Sequence, residues 1–72
     1  MTITFEDQRG KLFAIAYRMV GSAMDAEDIV QDAWLRYEQL ASPPQNPSAY
    51  LRKIVTNLSL DYLKSARVQR EQ

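Results

Sequence analysis

Apolar residues recur along the chain at spacings of three and four, the period of a helix with one buried face. In the N-terminal segment they are Leu12, Phe13, Ala16, Met19 and Val20. This spacing predicts a first helix over residues 5–20, and Gly21 can supply the left-handed conformation that ends it.

A second apolar stripe follows a short link of three residues, Ser22 to Met24. Its members are Val30, Ala33, Trp34, Tyr37 and Leu40. Asp25 is a good N-cap, so we expect a second helix over residues 26–40, which Pro43 and Pro44 then interrupt.

A third and longest helix is predicted over residues 47–67. Asn46 can cap it, and Pro47 suits the first helical position because no intrahelical partner awaits its missing N–H. Its apolar face comprises Leu51, Ile54, Val55, Leu58, Tyr62 and Leu63. No stop signal follows before Arg70, so we expect the chain to belong to a longer protein.

Together these patterns predict an all-α fold, a three-helix bundle that forms a single domain over residues 1–72. We expect its core to contain large side chains from all three helices, namely Phe13, Trp34, Tyr37, Ile54 and Leu58.

Composition removes several classes of function. The chain has no cysteine and no histidine, which excludes disulfides, thiolate or imidazole metal sites and thiol nucleophiles. No nucleophile–base pair or glycine-rich phosphate loop is present, so we expect neither an enzyme nor a bound cofactor. The apolar runs are too short to span a bilayer and no leader is evident, which predicts a cytoplasmic protein without a membrane partner.

Charge is balanced over the whole chain but not along it. Residues 1–40 contain seven acids and four bases, whereas residues 41–72 contain five bases and two acids. Opposite charges that cancel at long range remain distinct at contact distances near the Debye length of about 8 Å. This asymmetry fits two partners of opposite charge, although ordinary solvated helix faces explain it equally well.

Asp28, Gln31 and Asp32 share one polar face of the second predicted helix. Such carboxylates and amide are well suited to binding arginines of a partner helix. An ion pair of Asp32 with Arg36, one helical turn later, is the structural alternative. Two carboxylates without a third acid or a histidine make a poor metal site.

Basic residues dominate the polar side of the third predicted helix. They occur with an amide and an aromatic ring, and the set is Tyr50, Arg52, Lys53, Asn57, Lys64 and Arg67. Cations bind phosphates, while an amide or a ring can hydrogen-bond or stack with an unpaired base. A solvated face with a pair such as Asn57–Asp61 is the alternative.

The same segments carry a resemblance to a known family. Residues 25–35 (Asp-Ala-Glu-Asp-Ile-Val-Gln-Asp-Ala-Trp-Leu), residues 46–58 (Asn-Pro-Ser-Ala-Tyr-Leu-Arg-Lys-Ile-Val-Thr-Asn-Leu) and residues 61–63 (Asp-Tyr-Leu) resemble region 2 of bacterial extracytoplasmic-function (ECF) sigma factors. Residues 12–22 fit the preceding segment. The amino-acid sequence of these segments is most similar to that of a subgroup of the family whose members carry a C-terminal SnoaL-like extension.

The resemblance implies two partners. In the family the acidic stretch docks on the β′ coiled coil of RNA polymerase, and the matching residues are Asp28, Gln31 and Asp32. The loop before the last helix accepts an unstacked base of the non-template strand of the promoter −10 element. That loop corresponds to residues 42–48, which include Asn46 and Ser48, and the basic helix follows it.

Two departures accompany this resemblance. The segment from Ala41 to Ala49 carries no charge, so we expect phosphate contacts to come from the helix. The family's helix-turn-helix for the −35 element is not among these residues, so we do not expect the chain to act as a sigma factor by itself. A regulatory protein or a C-terminal extension is a further expected partner.

Two other functions compete with this interpretation. A stand-alone helical protein-interaction module explains the acidic helix without any role in DNA binding. A duplex-reading helix-turn-helix needs a turn of about three or four residues. The predicted loop is longer and contains two prolines, which argues against that geometry.

Overall fold

A computed structural model describes the backbone of residues 5–71 and the side chains of residues 6–66. It contains three α-helices: α1 (Phe5–Val20), α2 (Ala23–Glu38) and α3 (Pro47–Glu71). Each helix packs against the other two, and the described residues form no strand. The prediction of an all-α three-helix bundle is therefore confirmed. No helix in the described range is both long and apolar enough to cross a membrane.

The turn between α1 and α2 is set by two adjacent residues. Gly21 has the predicted left-handed conformation, with φ of 74°, and its N–H donates to the Tyr17 carbonyl at 2.9 Å. Ser22 is extended, and its Oγ accepts from the backbone N–H of Asp25 at 3.4 Å. The prediction of Asp25 as the N-cap is therefore wrong. α2 begins at Ala23 because the serine directly after the glycine caps the helix first.

The loop between α2 and α3 is bounded by local hydrogen bonds. α2 ends at Glu38, two residues before the predicted Leu40, and the Gln39 N–H caps it by donating to main-chain oxygens that include Arg36 O. At the other end Asn46 is the predicted N-cap, since its Oδ1 accepts from the Ala49 N–H at 3.1 Å. Pro47 occupies the first position of α3, as predicted.

Small and medium side chains fill the centre of the bundle. The buried apolar residues are Leu12, Ala16, Ala26, Ile29, Val30, Ala33, Leu51 and Val55. The larger residues predicted for the core, Phe13, Trp34, Tyr37, Ile54 and Leu58, are only partly buried and pack around this centre. Alanine at three central positions brings the helices close together, which leaves no room for rings between them.

Two polar side chains are also buried. Ser59 is fully buried, and its hydroxyl donates to the Val55 carbonyl one turn earlier at 2.8 Å. Gln8 lies on α1 with 8% exposure and accepts a hydrogen bond from α3. Among the described residues no buried side-chain nitrogen or oxygen lacks a partner, as a small bundle of marginal stability requires.

The two glycines predict opposite effects of the same substitution. Gly10 lies within α1 with open space around it, so Gly10→Ala should stabilise the fold by about 0.5–1 kcal/mol. Gly21→Ala should destabilise it by about 1–2 kcal/mol, because a Cβ disfavours the left-handed conformation. Urea unfolding followed by circular dichroism measures both changes. Stabilisation by Gly21→Ala would contradict the assigned conformation of Gly21.

Candidate protein and nucleic-acid interfaces

The predicted acidic residues of α2 lie on its outer side. Asp28 and Gln31 are exposed and Asp32 is half-buried, and the helical spacing places all three opposite the buried Ala26 and Val30. We refer to Asp28, Gln31 and Asp32 as the acidic strip. The packing of α2 in the bundle therefore leaves this strip available to a partner.

Asp32 also forms the ion pair with Arg36 that the sequence offered as an alternative to a partner-binding role. Its Oδ2 lies 3.6 Å from Nε of Arg36, and the two side chains are 50% and 55% exposed. Exposed pairs of this kind contribute about 0.3–0.5 kcal/mol within a helix. A partner arginine can replace Arg36 at little energetic cost, so the ion pair and a binding role for Asp32 are compatible.

A groove between α1 and α2 adjoins the acidic strip. Its volume is about 250 Å³. It is lined by Arg9, Phe13, Glu27, Asp28, Val30 and Gln31. Nη2 of Arg9 approaches Oε1 of Glu27 at 4.0 Å, which places a cation beside the acids. Sequence reasoning missed the α1 residues here, because periodicity shows that Arg9 and Phe13 share a face of α1 but not which helix that face meets.

The predicted nucleic-acid residues of α3 divide between two sides of the helix. Tyr50, Lys53, Asn57 and Lys64 recur at helical spacing along one line, which we call the α3 strip. Lys53, Asn57 and Lys64 are exposed, and Tyr50 is half-buried. Arg52 lies off this line, and its Nε donates to the Ser48 carbonyl at 3.4 Å. Arg67 belongs to α3, but its side chain lies outside the described residues.

Aromatic rings join the two helices that flank the 39–46 loop. Trp34 stacks on Tyr37 with ring centroids 5.1 Å apart, and Tyr37 meets Tyr50 at 6.2 Å in a tilted arrangement. Such pairs contribute about 0.5–1.5 kcal/mol beyond the area they bury. Trp34 and Tyr37, which were predicted for the core, and Tyr50, which was predicted for the nucleic-acid interface, therefore hold the end of α2 against the start of α3.

A second contact holds the C-terminal end of this loop. The Ser48 hydroxyl donates to Oε1 of Gln8 at 3.3 Å, which links the first turn of α3 to α1. The side chain of Asn46 is held as well, because its Oδ1 accepts the hydrogen bond that caps α3. Its NH₂ group remains a hydrogen-bond donor. Two predicted site residues, Asn46 and Ser48, are thus anchored by the fold, and Gln8 is a supporting residue that sequence reasoning missed.

A further long-range contact was also missed. The Tyr62 hydroxyl donates to Oδ2 of Asp25 at 2.7 Å, which ties the start of α2 to the C-terminal half of α3. Asp25 thus contacts α3 through its side chain, although sequence reasoning placed it at a helix end. The sequence pattern placed Tyr62 on the buried face of the third helix. It could not show the hydrogen bond, because only the folded arrangement brings the Tyr62 hydroxyl to an acid 37 positions away.

An open depression lies on the outer side of α3, with a volume of about 560 Å³. Its lining residues all belong to this helix, and they are Asn57, Leu60, Asp61, Leu63 and Lys64. Within the described residues no hydrogen bond joins Asn57 to Asp61, the pair considered as the alternative for this face. The amide and the carboxylate are both available to a ligand.

Comparison with known proteins identifies relatives. The family model described as Sigma-70 region 2 matches residues 4–68. The ECF RNA polymerase sigma factor SigJ of Mycobacterium tuberculosis (strain ATCC 25618 / H37Rv) is 46% identical over 67 residues, which cover 93% of this chain and 22% of SigJ. The ECF RNA polymerase sigma factor SigW of Bacillus subtilis (strain 168) is 36% identical over 62 residues, covering 82% of this chain and 33% of SigW.

The matches cover most of this chain but a minor part of each relative. A third relative, the ECF RNA polymerase sigma factor SigG of Mycobacterium tuberculosis (strain CDC 1551 / Oshkosh), is 41% identical, covering 86% of this chain and 18% of SigG. The chain thus spans between 18% and 33% of the length of these relatives. No solved structure matches it.

The Tyr62–Asp25 hydrogen bond predicts a specific loss of stability. Tyr62→Phe removes the donor and leaves the ring, so the free energy of unfolding should fall by about 1–2 kcal/mol. Tyr17→Phe is the matched control, since Tyr17 is 46% exposed and stacks on Phe13 through its ring. Urea unfolding compares the two variants. Equal stability of both would show that the Tyr62 hydroxyl contributes nothing.

Proposed function

This chain belongs to the sigma-70 region 2 family, in its ECF sigma factor branch, and we propose that it captures promoter DNA while docked on RNA polymerase. The acidic strip of α2 binds the β′ coiled coil. The 42–48 loop and the α3 strip bind the non-template strand of the −10 element. The function is transcription initiation, carried out in the cytoplasm, where polymerase and promoter meet.

The observation that carries this proposal is the separation of charge between two outward faces. Carboxylates of α2 point away from the core on one helix, and the cations Lys53 and Lys64 of α3 do so on another. A single partner of either charge would use one face and be repelled by the other. Two partners of opposite charge, a protein and a nucleic acid, use both.

Docking on polymerase follows from the chemistry of the acidic strip. Carboxylates form short, charge-assisted hydrogen bonds with arginine, and these bonds are roughly twice as strong as neutral ones. Asp28 is free of intrahelical ion pairs among the described residues, and Asp32 can exchange Arg36 for an incoming arginine. The neighbouring groove between α1 and α2 offers an apolar floor, Phe13 and Val30, for a side chain of the docked helix.

The anchored loop supports the proposal of strand capture. Extruding a base from the stack costs a few kcal/mol, which the binding pocket has to offset. A binding loop that is ordered before the strand arrives spends none of the binding energy on becoming ordered, so more of that energy offsets the cost of extruding the base. Hydrogen bonds to Gln8 and within the Asn46 cap hold one end of the loop, and the Tyr37–Tyr50 contact holds both flanking helices.

The first prediction concerns polymerase docking. Asp32→Ala should weaken binding to an isolated β′ coiled-coil fragment by roughly tenfold, the loss expected for one charge-assisted bond. Isothermal titration calorimetry measures it, with helix content checked by circular dichroism. Asp7→Ala on α1 is the control, because it removes the same charge away from α2. Equal affinity of Asp32→Ala and the unaltered chain would remove Asp32 from the site.

The second prediction concerns DNA. If Lys53 and Lys64 of the α3 strip and one or both of Arg52 and Arg67 meet phosphates, the slope of log K against log salt should be roughly −2 to −3 for a single strand, at about −0.7 per phosphate. Fluorescence anisotropy with labelled single strands and matching duplexes measures it, and the single strand should bind more tightly. Replacing Arg52 and Lys53 together by alanine should reduce the slope with the fold intact.

These measurements separate the alternatives. A slope near zero would contradict an electrostatic track on α3. A stand-alone protein-interaction module predicts no affinity for either form of DNA, and a duplex reader predicts tighter binding to the duplex.

A further inference from the structure

Asp61 places a carboxylate within the cationic surface of α3. It is exposed, it follows Asn57 by one helical turn, and Lys64 comes three residues later. Its negative charge repels phosphates at the distances where the neighbouring lysines attract them. If α3 bound a strand through electrostatic attraction alone, Asp61 would lower the affinity for that strand.

The fold gives Asp61 no stabilising role of its own. No ion pair or hydrogen bond engages its side chain among the described residues. It lies far from the N-terminus of α3, where the helix dipole favours acids, because that favourable effect is confined to the first turn. The position of the carboxylate is therefore better explained by what it contacts in a complex.

The surroundings of Asp61 fit one nucleobase. Leu60 is 46% exposed and lines the same depression three residues after Asn57, so a base whose edge meets Asn57 and Asp61 can cover it with its flat face. Residues four apart on a helix have Cβ atoms about 5–6 Å apart, so Asn57 and Asp61 can contact one base edge together. Lys64 stands beside them for the adjoining phosphate.

The two polar groups define which bases fit. A carboxylate only accepts hydrogen bonds, and it is a suitable acceptor for an exocyclic amino group such as N4 of cytosine. The NH₂ group of Asn57 can donate to the neighbouring ring nitrogen. Cytosine (N4 and N3), adenine (N6 and N1) and guanine (N2 and N3) offer this donor–acceptor pair. Thymine carries a carbonyl oxygen in place of the amino group, and the carboxylate repels it.

We propose that Asp61, together with Asn57, is a base-specificity site that selects an amino-bearing base (cytosine, adenine or guanine) in the captured strand and rejects thymine. This inference rests on the proposed strand-binding function. It adds a second position of base recognition, on the outer side of α3, to the 42–48 loop. In this proposal Asp61 lowers the affinity for the strand, because it repels phosphates, and it increases the discrimination between bases.

The test compares strands that differ by one base. The probes are labelled oligo(dT) and the same oligomer with a single dC, dA or dG placed at each position in turn, and fluorescence anisotropy gives the affinities. At one position an amino-bearing base should bind roughly tenfold more tightly than dT. The arm that shows the gain identifies the selected base.

The variant Asp61→Asn removes the charge and keeps the shape. An asparagine amide can turn to donate or accept, so the preference should vanish, and affinity for oligo(dT) should rise because the repulsion is gone. Glu38→Gln is the matched control, since it removes an exposed acid at the end of α2 and should leave the preference intact.

The outcomes separate this inference from the proposed function. Strand binding without any base preference, or a preference that persists in Asp61→Asn, would overturn the role of Asp61 and leave strand capture standing. No binding to any single strand would overturn strand capture, and the role of Asp61 with it.

Discussion

The close packing of three helices at small side chains determines the rest of this structure. Ala16, Ala26 and Ala33 are fully buried, one on α1 and two on α2, and Leu51 and Val55 of α3 complete the centre. A narrow core of this kind has no space for rings. Trp34, Tyr37 and Tyr50 therefore lie at its edge, where they join α2 to α3 next to the loop. The polar faces of all three helices remain outside.

The proposed function requires a bundle with zero net charge to bind two unlike partners. Each helix buries one face in the shared core, so the acidic strip of α2 and the α3 strip point outward from different sides. Their fields cancel at long range and act separately at contact. In the complexes we propose, selectivity depends on short-range chemistry. Partner arginines contact the carboxylates of α2, and the phosphates and bases of the strand contact the lysines, amide and ring of α3.

Much of this could be predicted from sequence, because it is local. The bounds of α1, the left-handed Gly21 and the start of α3 at Pro47 follow from residue chemistry within a few positions. The start of α2 was missed because Ser22 and Asp25 are both good caps, and periodicity does not choose between them. The large rings were assigned to the core because apolar patterning reports hydrophobicity and not the space available.

The contacts that support the candidate sites could not be predicted this way. Ser48–Gln8 and Tyr62–Asp25 join residues 40 and 37 positions apart, and each depends on how one helix is rotated against another. The acidic strip and the α3 strip were predictable as sets, because each lies on one helix and follows its period. The groove lined by Arg9 and Phe13 required two helices to be placed together.

If the acidic strip and the α3 strip serve two partners, both partners can bind the protein at the same time. To measure this, the protein is saturated with a β′ coiled-coil fragment, and a labelled −10 single strand is then titrated while anisotropy is followed. We expect a ternary complex in which the strand binds at least as tightly as it does to the protein alone. Displacement of the strand by the fragment would contradict this expectation, because the two partners would then share one surface.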